Sequence, residues 1–430
     1  MSTATQTDKQ QGKFKGFLTS VNLGFFLAIR QVKGSSFGTT ALIVFVMMLT
    51  FLNLVVVRGV LVGLIQSSTD LFREKYAGEI FISTLPKKQY IENSTSIIEV
   101  VKNLPWTVNY SPRYVQSGTV EGTYKERVDY TEDANIANGV FTGVDPILEE
   151  KTTNLSSMLI AGEMLTPEDT DSILIGANTL KKYLPIEAPG LLLLENVDVG
   201  STVRIKVNGN VKEMFIKGII KGKGAFDDRV VMLDSTLRTL IGRSDYNVDE
   251  IAIKIKPGTD PLVVKQAILL AGVGDTARVQ TVEEALPKFL KDIQATFGLL
   301  GNAIGSIGLV VASITIFIVI YINAITRRKF IGILKGIGID STAIEVSYIL
   351  QSIFYATMGV LVGMAILYGF LVPYIDAHPI NFPFSDGILV AEYSNTVLRA
   401  VLLLIATLFA GYIPARLVVK QNTLDAILGR

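Results

Sequence analysis

The stretch Thr39–Val57 reads TTALIVFVMMLTFLNLVVV, and it lies within a segment without charged residues that extends from Ser35 to Val57. A helix needs about 20 mainly apolar residues to cross the hydrocarbon core of a bilayer. This stretch therefore predicts a first transmembrane helix.

Three later segments have the same character. Ile293–Thr326 and Val346–Ile375 contain no charged residue, whereas Tyr393–Pro414 is interrupted by Arg399, whose guanidinium we expect to reach the membrane interface. The fold class predicted is thus an α-helical membrane protein with four transmembrane helices and a large mixed α+β extracytoplasmic domain between helices 1 and 2.

The distribution of basic residues predicts the orientation. The following residues flank the apolar segments on one side: Lys9, Lys13, Lys15, Arg30, Lys33, Arg327, Arg328, Lys329, Lys335, Arg416, Lys420 and Arg430. The loop of residues 376–392 has no Lys or Arg. Because basic residues favour the cytoplasmic side, we expect a multi-pass membrane protein with both termini in the cytoplasm.

The domain boundaries follow from these segments. They are a cytoplasmic N-terminal segment with an amphipathic helix (1–37), helix 1 with the start of a stalk (38–65), the extracytoplasmic domain (66–290), stalk and helix 2 (291–326), a cytoplasmic coupling segment (327–345), helix 3 (346–375), a short outer loop (376–392), helix 4 (393–415) and a cytoplasmic tail (416–430). The stalk is predicted because Leu61–Tyr76 and Val282–Phe297 keep helical periodicity while carrying charges. A loop at each junction is the alternative.

The composition argues against several functional classes. The chain has 40 Lys+Arg, 39 Asp+Glu, no Cys and one His, His378. This balance is not typical of nucleic-acid binding, and the missing residue types exclude thiolate metal sites and make a Ser-His-Asp triad improbable. No phosphate-binding loop motif is present. We therefore predict no catalytic residue, no metal site and no cofactor within this chain.

The segment of residues 66–290 carries 25 basic and 31 acidic residues. Alternating apolar residues in Arg204–Gly209 and Lys212–Ile220 predict a hairpin, and Glu250–Lys256 predicts another strand. Asp260–Leu270 is typical of a helix with Pro261 in its first turn, and Ser172–Leu184 predicts a strand that passes into a helix.

Two pairs of adjacent carboxylates lie in the same segment, Glu149-Glu150 and Asp227-Asp228. Neighbouring side chains usually diverge, so we interpret both pairs as solvated surface rather than as a catalytic pair.

The segment RRKFIGILKGIGID (Arg327–Asp340) has amphipathic helical periodicity. Its predicted apolar stripe consists of Phe330, Ile331, Leu334 and Ile337, with Arg327, Arg328 and Lys335 elsewhere. The residues alone leave two interpretations open, a helix lying on anionic lipid and a docking helix for a cytoplasmic partner.

This order of segments and motifs resembles the FtsX-like/MacB-like permease family, the membrane subunits of type VII ABC transporters. RRKFIGILKGIG is similar to the family pattern R-x-x-E-I-G-x-L-+-A-x-G, with Phe330 where an acidic residue is common. The tail IPARLVVKQNTLDAIL resembles P-A-R-x-A-x-x-x-x-P-x-x-A-L, with Thr423 where Pro is usual. FTGVDP (Phe141–Pro146) and Ser172–Leu184 resemble landmarks of the lipoprotein-releasing, LolC/LolE-like branch.

The resemblance implies partners and a mechanism. Two permease copies, identical or paralogous, would pair in the lipid bilayer of a prokaryotic cell membrane. Each would dock on a separate cytoplasmic ATPase that binds ATP and Mg²⁺. Closure of the ATPases would act through the coupling segment to move the outer domains, a process called mechanotransmission. A lipoprotein, a peptide or an accessory extracytoplasmic protein is the further partner implied.

Small and polar residues inside the predicted helices are candidates for helix packing. Gly301 with Gly305 and Gly359 with Gly363 permit close helix approach, within one subunit or at a dimer interface. Asn53 in helix 1 has two open roles, a hydrogen bond across a dimer axis or one within its own chain.

A run of four leucines, Leu191, Leu192, Leu193 and Leu194, follows Pro189-Gly190 in a segment that is long for the family. The run predicts either a buried strand or tucked loop, or an exposed apolar tip that contacts membrane or an acylated client.

The sequence favours the permease subunit of an ABC transporter, which couples ATP hydrolysis on a partner to work outside the membrane. Lipoprotein release and export of a peptide or amphiphile are the candidate tasks. The alternatives are a non-transporting regulator of a cell-wall hydrolase and an extracytoplasmic sensor or receptor.

Overall fold

The structure is a computed structural model of the 430-residue chain. It describes residues 4–125, 134–184, 190–378, 380–382, 385–387 and 389–420, and the side chains of these residues except for 4–18 and 380–387. The part of the predicted C-terminal motif beyond Lys420 lies outside the described residues.

Contacts divide the chain into two compact units. The first, here called the membrane unit, comprises Met1–Leu64, Ile293–Ile380 and Gly387–Arg430. The second, the sheet unit, comprises Ile65–Asp292 and Asn381–Asp386.

The helices that the described residues form are α1 (Ala4–Lys33), α2 (Phe37–Phe72), α3 (Ser94–Asn103), α4 (Pro146–Thr153), α5 (Asp234–Leu240), α6 (Pro261–Leu270), α7 (Val282–Ala285), α8 (Lys288–Thr326), α9 (Arg328–Gly336), α10 (Ser341–Ile366), α11 (Val372–Ala377) and α12 (Tyr393–Val419). One π-helical turn, Arg73–Ala77, follows α2, and a second, Leu367–Leu371, joins α10 to α11.

Four helical segments within the described residues are long and apolar enough to cross a membrane. They are Phe37–Ala77, Lys288–Thr326, Ser341–Ala377 and Tyr393–Val419. The predicted fold class, four apolar helices with a mixed α+β domain between the first two, is confirmed.

The core of the membrane unit is a layer of apolar side chains contributed by all four helices. Met47 and Phe51 of α2 are fully buried, as are Ile316 of α8 and Leu403 of α12, while Tyr355 of α10 is 1% exposed. These side chains recur at spacings of three and four residues along their helices, which is the periodicity that brings one helix face into a bundle.

The strands of the described residues are β1 (Ile80–Thr84), β2 (Thr107–Glu121), β3 (Ile136–Val144), β4 (Leu159–Gly162), β5 (Ser172–Gly176), β6 (Thr202–Val207), β7 (Asn210–Ile220), β8 (Arg229–Leu233), β9 (Glu250–Ile255), β10 (Ala277–Thr281), β11 (Ile380–Phe382) and β12 (Ser385–Gly387).

Ten of these strands form one mixed sheet in the described part of the sheet unit. Its order is β10-β1-β9-β2-β3-β8-β5-β7-β4, and β6 pairs with both β2 and β7. The long strand β2 joins its two halves, because residues 107–113 pair with β9 and residues 114–121 pair with β3. β3 is parallel to β8 and β5 is parallel to β7.

Several local predictions in the sheet unit are confirmed. β6 and β7 form the predicted hairpin, in which Val207 pairs with Asn210. The two turn residues, Asn208 and Gly209, have φ of 50° and 82°, as the tightest right-twisting hairpin turns require. In α6 the Asp260 carboxylate accepts a hydrogen bond from the Leu262 N–H at 2.9 Å and caps the helix.

One local prediction was wrong in part. Ser172–Gly176 is the expected buried strand, but the following Ala177–Thr179 forms only a single 3₁₀ turn instead of a helix. The Leu180 backbone then makes a bridge to Leu194, and residues 181–183 form a turn, so no continuous helix follows the strand.

The two segments from which a stalk is predicted differ in structure. Helical structure after the first transmembrane stretch continues to Ala77. In the other segment, Leu286 and Pro287 separate the short α7 from α8, which begins at Lys288. The stalk itself stays a prediction.

Candidate functional site: the coupling helix and the transmembrane packing

The coupling segment forms the short helix α9. Its C-terminus is closed by Gly338, which has a φ of +92°, and by a hydrogen bond from the Ile339 N–H to the Leu334 carbonyl at 3.0 Å. Only glycine adopts this left-handed conformation without strain. The sequence Gly-Ile-Gly after Lys335 therefore ends the helix and directs the chain into α10.

The four residues of the apolar stripe predicted for α9 share one arc of the helix but differ in burial. Ile331 and Leu334 are 2% and 8% exposed and pack in the core of the membrane unit. Phe330, Ile333 and Ile337 are 51%, 53% and 72% exposed and occupy the other end of the same apolar arc. We call Phe330, Ile333 and Ile337 the exposed stripe. The prediction omitted Ile333 from the apolar stripe and included Ile331 and Leu334, which are buried.

The basic residues of the coupling segment have different environments. The Lys335 Nζ donates a hydrogen bond to the Val419 carbonyl at 2.9 Å, which ties α9 to the last turn of α12. Arg327 and Arg328 are half-buried, whereas Lys329 is exposed. Lys329 is thus the exposed cationic residue of α9, and the hydrogen bond of Lys335 anchors the helix to α12.

The helix α1 packs along α10 through a close backbone approach. A Cβ atom added at Gly24 would lie 2.7 Å from the Val346 Cγ1, so this contact requires glycine. The Ser20 hydroxyl donates to an Asp340 carboxylate oxygen at 3.2 Å, next to the start of α10. Phe25 and Phe26 are each 57% exposed on the outer side of α1.

The glycines of α10 serve packing inside this chain. A Cβ atom at Gly359 would lie 2.5 Å from the Met47 Cβ, and one at Gly363 would lie 2.5 Å from the Phe51 Cδ1. Both neighbours belong to α2. The pair Gly359 and Gly363 therefore lets α10 approach α2 within one subunit, which was the first of the two open roles.

The glycines of α8 are less tightly enclosed. A Cβ atom at Gly301 would be 3.4 Å from the Leu61 Cδ1, and one at Gly305 would be 4.0 Å from the Arg399 Nη1. These are ordinary van der Waals separations, so the structure assigns no strict size limit at either position.

Asn53 lies at an open apolar groove between α2 and α8. The groove has a volume of about 750 Å³, and its walls include Leu49, Ile304 and Ile307. The Asn53 side chain is exposed and makes no hydrogen bond to any residue that the structure describes. Of its two open roles, a hydrogen bond within the chain is therefore not observed.

The four leucines of the sheet unit divide between the two expected environments. Leu194 is 1% exposed, and its N–H donates to the Thr179 carbonyl at 2.9 Å. Leu191 and Leu192 are 44% and 51% exposed, and Leu193 is half-buried. One end of the run is anchored in the core and the other end is an exposed apolar tip.

The interpretation of Glu149 and Asp227 as solvated surface was wrong. Glu149 is fully buried and accepts hydrogen bonds from Arg113 Nε at 2.8 Å and from Arg113 Nη2 at 2.7 Å. Asp227 is 3% exposed and accepts hydrogen bonds from the backbone N–H groups of Gly222 and Lys223. Neither pair is arranged for catalysis, because each buried carboxylate is occupied by structural donors.

Arg113 is the centre of this polar cluster. Its guanidinium is fully buried, donates to the Tyr76 carbonyl at 2.7 Å and lies 4.5 Å from the centre of the Tyr76 ring. The Tyr76 hydroxyl in turn donates to Glu250. The cluster therefore holds the π-helical turn Arg73–Ala77 against the sheet.

The electrostatics of the pair follow from burial and proximity. Burial alone would raise the pKa of Glu149, but the adjacent Arg113 charge and the hydrogen bonds to the carboxylate lower it below the ordinary value. Burial disfavours the charged form of Arg113, yet Glu149 keeps its pKa raised. Both groups are ionised, as a buried, hydrogen-bonded ion pair requires.

Two family models match the chain. The MacB-like periplasmic core domain matches residues 36–270, more than half of the chain, and the FtsX-like permease C-terminal domain matches residues 302–423.

Two curated proteins are similar to parts of the chain. An uncharacterized ABC transporter permease of Methanocaldococcus jannaschii is 24% identical over 62% of this chain and 65% of its own length. The macrolide export ATP-binding/permease protein MacB of Bdellovibrio bacteriovorus is 25% identical over 53% of this chain and 35% of its own length. The chain thus spans less than two thirds of either relative.

Solved structures of two related regions were also found. The periplasmic region of MacB from Actinobacillus actinomycetemcomitans is 14% identical, with a TM-score of 0.34 over 49% of this chain and 92% of that one. The extracellular domain of the noncanonic ABC-type transporter YknZ from Gram-positive bacteria is 12% identical, with a TM-score of 0.30. That match covers 47% of this chain and 99% of the YknZ domain.

The lipoprotein-releasing branch stays a prediction, since neither family match distinguishes it. The two matches together account for the apolar helices and for the extracytoplasmic placement of the sheet unit. The chain belongs to the family of ABC transporter permeases that combine a MacB-like periplasmic core domain with an FtsX-like permease C-terminal domain.

Proposed function

We propose that this chain is the permease subunit of an ABC transporter whose ATPase is a separate cytoplasmic polypeptide that binds ATP and Mg²⁺. The permease converts closure of that ATPase into movement of the extracytoplasmic domain, for export of an amphiphile or peptide or for lipoprotein release. The single observation that carries the proposal is the exposed stripe on α9, an apolar surface on a helix whose other face is anchored.

The stripe has the chemistry of a protein interface. Phe330, Ile333 and Ile337 are about half to three quarters exposed. Fully burying such a side chain contributes about 1.5–3 kcal/mol. Covering the exposed part of each residue thus contributes about 1 kcal/mol or more, and the three together about 4 kcal/mol, which corresponds to nearly a thousandfold in affinity.

The anchoring of α9 explains how force would pass from a docked ATPase to the membrane helices. Ile331 and Leu334 are part of the same core as Val418 and Val419 of α12, and Lys335 hydrogen-bonds the Val419 carbonyl. Because protein interiors are close-packed and bistable rather than soft, a displacement of α9 carries α12 with it.

We further propose that two copies pair through the groove beside Asn53. Polar side chains exposed at bilayer depth are costly unless they find a partner, and Asn53 has no hydrogen-bonding partner among the described residues. Ile304, Ile307 and Val311 of α8, which line the same groove, would supply the apolar contact area around an Asn53–Asn53 hydrogen bond.

The export of an amphiphile is supported by the name of one relative, which is a macrolide exporter, and by the exposed Leu191 and Leu192 of the sheet unit. These two leucines are the proposed contact for an apolar client or for the membrane. Lipoprotein release rests on the resemblance of Phe141–Pro146 and Ser172–Leu184 to that branch.

The docking proposal is tested by purifying the tagged chain from its native host in mild detergent and identifying the proteins that accompany it. We expect a subunit with a phosphate-binding loop to co-purify with wild type and to fall at least tenfold with Phe330→Asp/Ile333→Asp. Val211→Asp is the matched control, since Val211 is 57% exposed in the sheet unit.

Equal recovery of the ATPase with the α9 variant would locate docking elsewhere. Absence of any ATPase from the wild-type preparation would refute the ABC permease function and favour a receptor role for the outer domain.

The pairing proposal is tested by cysteine crosslinking, which has no background because the chain contains no Cys. Asn53→Cys is expected to give an oxidant-dependent dimer in membranes, and Phe409→Cys, at a position 62% exposed on α12, is not. Dimers from both variants, or from neither, would contradict pairing at this groove.

A further inference from the structure

Two arginines of the membrane unit, Arg58 of α2 and Arg399 of α12, lie at one cavity. The cavity has a volume of about 180 Å³, the room of about six water molecules at roughly 30 Å³ each. Arg58 and Arg399 line it together with Glu392, Asn395 and backbone of the loop before α12.

The walls of the cavity are built by specific contacts. The Val390 N–H donates to the Gly59 carbonyl at 3.2 Å, and a Cβ atom at Gly59 would lie 2.7 Å from the Leu389 Cδ1. The Tyr368 hydroxyl donates to the Ala391 carbonyl at 3.2 Å. The loop therefore rests directly on α2 and on the π-helical turn after α10.

Among the described residues, the two guanidiniums are bound only to neutral acceptors. Arg58 Nη1 donates to Asn302 Oδ1 at 3.1 Å, and Arg399 Nη1 donates to the Leu54 carbonyl at 3.0 Å. No carboxylate of the described residues in the membrane unit lies within ion-pairing distance of either side chain. Since a guanidinium has five N–H donors, most donors of both arginines have no acceptor from this unit.

The nearest acid does not neutralise the pair. Glu392 lines the same cavity, but its carboxylate accepts a hydrogen bond from Asn395 Nδ2 at 2.7 Å and is exposed. With two arginines and one glutamate around it, the cavity carries a net positive charge. Guanidinium groups are the donors that suit an oxyanion such as a phosphate.

The depth of the cavity indicates what kind of molecule carries that oxyanion. Arg58 lies 21 residues after Phe37, the first residue of α2, a distance of about 31 Å along a helix that rises 1.5 Å per residue. The hydrocarbon core of a bilayer is about 30 Å thick. The cavity is therefore at the level of lipid headgroups, on the side from which α2 leads into the sheet unit.

We propose that Arg58 and Arg399 form a binding site for the headgroup phosphate of a phospholipid in the outer leaflet. The small volume of the cavity accommodates the phosphate group alone, while the acyl chains lie along the apolar helix surfaces below. Arg399 holds its position by the bond to the Leu54 carbonyl, and the exposed Arg58 closes over the phosphate from α2.

The site is tested on the full-length chain in detergent by titration with three soluble probes. Short-chain phosphatidylglycerol carries both phosphate and acyl chains, the matching diacylglycerol lacks the phosphate, and inorganic phosphate lacks the chains. We expect saturable binding of phosphatidylglycerol, with an affinity lowered at least tenfold in Arg58→Gln/Arg399→Gln, and weak binding of the other two probes to wild type.

Arg416→Gln is the matched control, because Arg416 lies on the same helix at its other end, where it donates to the Tyr412 hydroxyl. It should bind phosphatidylglycerol as wild type does. Arg58→Gln alone keeps the test valid if the double variant fails to fold, since Arg58 is exposed and its replacement leaves the core intact.

Three results would overturn the proposal. The first is wild-type affinity for phosphatidylglycerol in a folded double variant or in Arg58→Gln. The second is equal binding of diacylglycerol, which would make the contact purely apolar. The third is binding of inorganic phosphate as tight as that of the lipid, which would make the cavity a free-anion site.

Discussion

The buried ion pair of the sheet unit offers a quantitative prediction. Glu149 accepts four side-chain hydrogen bonds, from Ser111, Thr153 and twice from Arg113, at 2.6–2.8 Å. Glu149→Gln keeps the shape of the side chain but removes its negative charge. It also replaces one acceptor oxygen with an NH₂ group, which then faces other hydrogen-bond donors. Because Arg113 is then left as an uncompensated buried charge, we expect a loss of about 3–5 kcal/mol in the free energy of unfolding.

The assay is chemical unfolding of the full-length chain in detergent, followed by fluorescence of Trp106. This residue is the only tryptophan of the chain and packs against the core of the sheet unit. Glu150→Gln is the control, since among the described residues the Glu150 carboxylate binds only the exposed Ser156, and it should cost less than about 1 kcal/mol. Arg113→Met/Glu149→Leu should recover much of the loss, because an apolar pair of similar volume removes both charges.

The pair also predicts a dependence on pH. The pKa of Glu149 is lowered in the folded chain, so its stabilisation is present above the ordinary pKa of 4.5 and is lost as the pH falls through the lowered value. Unfolding measured from pH 7 down to pH 3 should show a smaller loss of stability for Glu149→Gln than for wild type. A cost below 1 kcal/mol for Glu149→Gln at pH 7, equal to that of Glu150→Gln, would refute this reasoning.

Five further substitutions test the packing. Gly359→Val should destabilise the helix bundle by about 1–3 kcal/mol or more, seen as a lower melting temperature in detergent, because its Cβ would lie 2.5 Å from the Met47 Cβ; an unchanged melting temperature would contradict the contact. Leu194→Ala should lower the free energy of unfolding, monitored by Trp106 fluorescence, by about 2–5 kcal/mol, and Leu192→Ala by less than about 0.5 kcal/mol. Equal losses would contradict the assignment of Leu194 to the core and Leu192 to the surface. Ile331→Ala should lower the yield of folded protein. Ile333→Ala should leave the stability unchanged and weaken co-purification of the ATPase, and the reverse pattern would show that the buried and exposed residues of α9 are misassigned.

Local sequence patterns predicted helices and turns well where the backbone conformation depends on residues adjacent in sequence. The Asn208-Gly209 pair adopts the positive φ values that a two-residue hairpin needs, and Asp260 with Pro261 starts α6. The apolar spans were equally readable, because length and the lack of charge suffice to predict a transmembrane helix.

The coupling helix shows why the candidate site was only partly predictable. At 100° per residue, its apolar side chains cover an arc of about 160° from Ile333 to Ile331. Periodicity locates that arc but does not tell which part another helix covers. Here Ile331 and Leu334 are buried in the core that also contains Val418 and Val419 of α12, and the hydrogen bond from Lys335 to Val419 spans 84 residues of sequence.

The buried cluster around Arg113 escaped prediction for a related reason. Its partner Glu149 is 36 residues away, and a Glu-Glu dipeptide is usually a surface feature. Only the pairing of β2 with β9 and the packing of α4 against β2 bring the two charges together. Sequence spacing alone carries no signal for such a non-local ion pair.

The central claim, that ATP hydrolysis on a partner moves the extracytoplasmic domain, is tested most directly by a distance measurement. Leu262→Cys, at a position 60% exposed on α6, gives a single spin-label site in the otherwise Cys-free chain. In the reconstituted complex, pulsed electron spin resonance should show a shift of the label-to-label distance when ATP and vanadate are added, and no shift with Phe330→Asp/Ile333→Asp. An unchanged distance in a complex that still hydrolyses ATP would contradict the account.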